Sequence, residues 1–104
     1  MDIDQAIRQV VREFDQHPYD INNGNCEEFA ERVCELVPGA EKLWGEQCPD
    51  ALPAKTYDGD AHAFIVFDGV FFDAEEPCGV STPRLLPLFA RQAAVAQELL
   101  PAVA

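Results

Sequence analysis

Positive charge is scarce in this chain. Seven Lys and Arg stand against nineteen Asp and Glu in 104 residues, for a formal net charge of −12. The seven are Arg8, Arg12, Arg32, Lys42, Lys55, Arg84 and Arg91, and no two are adjacent. Phosphate backbones are gripped by clustered cations that release counterions. Nucleic acid and anionic membrane are therefore not expected as partners, whereas a basic or neutral partner is favoured by long-range steering. Long apolar runs are also missing, and nothing approaches the ~18 residues of a spanning helix. Met1-Asp2-Ile3-Asp4 has neither the basic nor the apolar region of an export signal. The expectation is a soluble, cytoplasmic protein.

Other absences exclude whole architectures. No period recurs, so solenoids and coiled coils are out. There is no Gly-rich phosphate loop and no βαβ unit, which argues against a nucleotide-binding α/β fold. No two of Cys26, Cys34, Cys48 and Cys78 are separated by the two-residue gap of a zinc knuckle or redox pair. No metal or other cofactor is expected. A Cys48–Cys78 bridge stays open for an oxidising compartment. What is present is a 48% hydrophobic composition, too apolar for a disordered acidic tail. The length fits a single domain over residues 1–104.

Periodicity supplies the elements. Ile3, Ile7, Val10, Val11 and Phe14 have helical spacing, with Asp2 or Asp4 as cap, ending before His17-Pro18. Residues 20–25 are turn formers. Asn25 is an N-cap type, Glu27 and Glu28 suit a first turn, and Phe29, Ala30, Val33, Cys34 and Val37 make one face. That second helix stops at Pro38-Gly39. Glu41 to Gln47 reads as a short strand or turn, and residues 48–60 as a loop. Residues 61–67 form the clearest strand, Asp68-Gly69 a two-residue turn, and Val70 to Ala74 the return. Residues 75–79 read as a connection. Thr82-Pro83 resembles a cap, and the last helix runs from about Pro87 to Leu99. The fold class is α+β, with N-terminal helices packed on a small antiparallel sheet and a C-terminal helix.

Three residues converge on nucleophilic chemistry. Cys26 lies in the first turn of a helix, where the dipole favours a thiolate. Its own N–H, an orphan donor of that helix end, can help hold an oxyanion. Glu27 and Glu28 oppose a bare thiolate, so an imidazolium is needed nearby. His62, on the first hairpin strand, is better placed than His17, which precedes a proline. With a two-residue turn, Phe64 opposes Asp73 and His62 opposes Glu75. Asp73 is then a diagonal neighbour of His62 on the same face, able to orient the ring. Glu75 is the competing orienter. A three-residue turn would put His62 and Asp73 on opposite faces.

The string Gly24-Asn25-Cys26-Glu27-Glu28-Phe29-Ala30 resembles the nucleophile helix of transglutaminase-like proteins. His62-Ala63-Phe64 is similar to their His-small-aromatic strand start, and Phe71-Phe72-Asp73-Ala74 to the strand ending on the third member. The order Cys, His, Asp is shared with papain-like peptidases. The resemblance covers about residues 22–76. It implies a papain-like fold and thiol acyl transfer: Cys26 as nucleophile, His62 as base and acid, Asp73 as orienter. It also implies a peptide, protein or small amide or ester substrate. Papain-like enzymes place a Gln oxyanion donor a few residues before the nucleophile. Asp20 and Ile21 stand there instead, leaving Asn22, Asn23 or Asn25 as substitutes, Asn22 foremost. The second reading is a non-enzymatic acidic domain on a degenerate papain-like fold, blocking a basic surface or mimicking nucleic acid.

Overall fold

The computed structural model describes residues 2–47 and 62–99, without the side chains of 46, 93 and 95–99. Helix α1 spans Ile3–Phe14 and is capped by Asp2, whose side chain accepts from the Asp4 N–H. Its Ala6, Ile7 and Val10 are buried, as the spacing requires. A one-turn helix follows, α2 (Pro18–Asn22), where the sequence suggests only a turn. Two local features form it: Pro18 at its first position, and a cap in which His17 Nδ1 accepts from the Tyr19 N–H at 3.1 Å. Helix α3 spans Cys26–Leu36. Asn25 holds the cap position but makes no side-chain cap bond there. Its amide instead donates to Gln16 Oε1 at 2.8 Å, tying the α1–α2 link to the start of α3.

The sheet has four antiparallel strands in the order β1-β2-β3-β4. They are β1 (Glu41–Trp44), β2 (Ala63–Phe67), β3 (Val70–Asp73) and β4 (Glu76–Val80). β2 and β3 pair as Ile65↔Phe72, Val66↔Phe71 and Phe67↔Val70. This is the register a two-residue Asp68-Gly69 turn demands. Both turn residues have positive φ, 53° and 73°, as a type I′ turn needs. The expected connection at 75–79 is instead a strand. Its Pro77 and Gly79 are strand breakers, tolerated because β4 is an edge strand with irregular pairing. Asp73 pairs with Glu76 and Phe71 with Val80, so two steps on β3 face four on β4. Gly79 takes φ +84°, and a Cβ there would stand 2.5 Å from Phe72 and Val70.

Two cores flank the sheet. Ile65, Phe72 and Ala74 join Ile7, Val10, Phe29 and Val33 from α1 and α3. Phe64 joins Leu86, Leu88 and Phe89 from the C-terminal segment. That segment is a 3₁₀ turn at Pro83–Leu85 followed by α4 (Pro87–Leu99). The chain is thus α+β, with helices on a small four-stranded antiparallel sheet. No helix among the described residues is long and apolar enough to cross a membrane.

Candidate active site

The site forms where strand ends meet a helix start. His62 sits one residue before β2, Asp73 closes β3, and Cys26 opens α3. His62 Nε2 lies 3.1 Å from Asp73 Oδ2, with His62 fully buried and Asp73 1% exposed. The other carboxylate oxygen accepts the Glu75 backbone N–H at 3.0 Å. Both Asp73 oxygens are therefore used, one to face the ring and one to fix the carboxylate.

The ring itself is held by packing. Phe89 meets it edge-on at 5.4 Å between centroids, and Phe64 lies at 6.2 Å. The His62 carbonyl accepts the Gly45 N–H at 3.0 Å, which anchors its backbone to the end of β1. Gly45 also gives Phe89 room, since a Cβ there would come within 3.1 Å of that ring.

Cys26 is 8% exposed. Its sulfur accepts the Ala63 N–H at 3.4 Å, so the thiol lies against the residue next to His62. The remaining ring nitrogen, His62 Nδ1, is buried and lacks a hydrogen-bond partner among the described residues. Burial pulls the imidazole toward its neutral form. Asp73 and then Cys26 outweigh it, through hydrogen bonding and charge, and raise the pKa to about 9. That direction favours the protonated ring, with the Asp73 carboxylate facing Nε2. The opposing acid Glu27 is paired with Lys42 at 3.0 Å, which offsets part of the negative field at the start of α3.

Glu75 does not contact the ring. Its carboxylate takes both guanidinium nitrogens of Arg91 at 2.8 Å and the Asn22 amide at 2.9 Å. Burial raises its pKa, but Arg91 and Asn22 prevail and lower it. Asp73, not Glu75, is the residue hydrogen-bonded to His62. Asn22 is 1% exposed, gives one amide hydrogen to Glu75, and leaves Oδ1 buried without a partner among the described residues. Arg91 also lies over the Tyr19 ring, 4.7 Å from its centroid. The Asn22–Glu75–Arg91 link was missed in sequence because its members lie 16 and 53 residues apart. The hairpin register points to Glu75, but nothing local announces Arg91.

The other sulfurs lie apart. Cys34 is half-buried, and burial pushes its thiol up. Cys78 is free and exposed, with Arg8 Nη2 4.0 Å from its sulfur. Cys48, the other end of the Cys48–Cys78 bridge left open by the sequence, lies outside the described residues. No three His, Cys, Asp or Glu side chains among the described residues gather as a metal site. No known family model, curated protein or solved structure matches this chain.

Proposed function

We propose that this chain is a small cysteine-dependent acyl-transfer enzyme with a papain-like core, acting through a thioester on Cys26. The observation that carries this reading is the buried His62–Asp73 pair, 3.1 Å apart, with Nδ1 unpartnered and the Cys26 sulfur bonded to Ala63. A buried imidazolium oriented by a carboxylate is what a thiolate nucleophile needs beside it.

The Cys26 thiolate attacks the carbonyl carbon of an amide or ester, and the carbonyl electrons move onto oxygen. The Cys26 N–H, at the first helical position, has no intrahelical acceptor and can meet that oxyanion. Asn22 has a second amide hydrogen beyond the one given to Glu75. Collapse breaks the carbon–nitrogen or carbon–oxygen bond, and His62 Nδ1 gives its proton to the leaving group. Neutral His62 then takes a proton from water as it attacks the thioester. The thiolate leaves, and the imidazolium is restored. An amine in place of water makes the same site a transferase.

The test is a trapped intermediate. Incubation with an activated ester such as p-nitrophenyl acetate, followed by peptide mass analysis, should find the acyl group on Cys26. His62→Ala should slow its formation about 10²- to 10⁴-fold. Acylation spread evenly over Cys26, Cys34 and Cys78 would leave the acidic binding domain as the better reading.

A further inference from the structure

The chain holds seven Lys and Arg and two His. Three of these nine, Arg8, Arg12 and His17, border a single cavity of about 460 Å³ between α1, the start of α2 and the β3–β4 turn. In a molecule of net charge −12, that grouping gathers scarce basic side chains in one place. Each of the three has donors to spare. The Arg12 guanidinium makes no hydrogen bond or ion pair among the described residues. His17 accepts from the Tyr19 N–H through Nδ1, so in the neutral ring Nε2 carries the proton and donates. Arg8 gives Nε to Asp4 at 2.7 Å and turns Nη2 toward the Cys78 sulfur at 4.0 Å, leaving Nη1 to spare. One carboxylate, Glu75, also lines the cavity, but Arg91 and Asn22 already hold both its oxygens.

The rest of the wall is apolar, with Ile7, Val11, Pro18 and Pro77 among the lining residues. The volume falls in the range of ligand pockets and exceeds what one carboxylate fills. A bare inorganic anion would leave that apolar wall unused. A peptide side chain with apolar neighbours uses both parts. We propose that this cavity binds an acidic peptide segment, with a Glu or Asp carboxylate taken by Arg12 and His17 and flanking apolar side chains against Ile7, Val11 and Pro77. Charge complementarity selects the carboxylate, because guanidinium–carboxylate bonds are the strong charge-assisted kind. This site stands apart from the acyl-transfer reading and needs no chemistry at Cys26.

The experiment is an NMR titration of the full chain carrying Cys26→Ala, with the blocked tripeptide acetyl-Leu-Glu-Leu-amide. Amide shifts are expected at residues 7–12, 17 and 74–76. The Gln counterpart should bind about tenfold more weakly, and Arg12→Glu should weaken the Glu peptide by at least about tenfold. Arg12 is exposed, so an unchanged spectrum elsewhere reports a folded variant. Equal binding of the Gln or Lys peptide, full competition by inorganic phosphate, or indifference to Arg12→Glu would each overturn the assignment. So would the absence of shifts at millimolar peptide.

Discussion

Burial alone would favour a neutral His62, but Asp73, and after it Cys26, raise its pKa instead. The pair sets two expectations. Asp73→Asn removes the carboxylate but keeps the shape, so His62 should lose its proton at lower pH. Acyl transfer should fall about 10²- to 10⁴-fold, while Glu75→Gln should cost less, because Glu75 faces Arg91 and Asn22 rather than the ring. Comparing the two kcat/KM values checks this; a larger loss for Glu75→Gln would reassign the third member. The second expectation concerns pH. The folded pKa of His62, about 9, lies above the ordinary 6.5. Its stabilising contribution is therefore fully present below about pH 6.5 and is lost as pH rises through about 9. Urea midpoints should decline across that window in the parent and decline less in Asp73→Asn. The alkaline limb of kcat/KM should fall near the same pH, as a property of the coupled Cys26–His62 pair.

At the scale of elements, the β2–β3 hairpin decides whether a site exists. Its two-residue turn puts His62 and Asp73 on one face, and one added residue would flip their relation. Inserting a glycine after Gly69 should abolish acylation of Cys26 while leaving helical circular dichroism largely intact; retained activity would mean the register does not govern the site. This hairpin was legible in sequence because Asp68-Gly69 admits few turn types and the flanking residues are strongly β-forming. Helices α1 and α3 were legible by spacing, and α4 by the prolines at its start. Strand β4 was not, since Pro77 and Gly79 mark it as a breaker until an edge position accommodates them. Gly79 now has a specific role. Gly79→Ala should destabilise the fold by about 1–3 kcal/mol, because the Cβ meets Phe72 and Val70 in a left-handed backbone. An unchanged denaturation midpoint would contradict the packing described here.

For the whole molecule, the His62 imidazole is buried inside a strongly acidic chain. Self-repulsion from a net charge of −12 weakens the compact state and is screened by salt. Raising NaCl from about 20 mM to about 0.5 M shortens the Debye length severalfold and should raise the urea midpoint. The order Cys, His, Asp could be read along the chain, yet their meeting depends on β1, Gly45 and α4, which bring Phe89 against His62 from distant sequence. The central claim is that this meeting makes Cys26 a nucleophile. Site-resolved alkylation of the folded protein by iodoacetamide at neutral pH tests it most directly. Cys26, although 8% exposed, should label far faster than the exposed Cys78, and His62→Ala should remove that advantage. Labelling ranked by exposure, with Cys78 first and Cys26 indifferent to His62, would contradict the account.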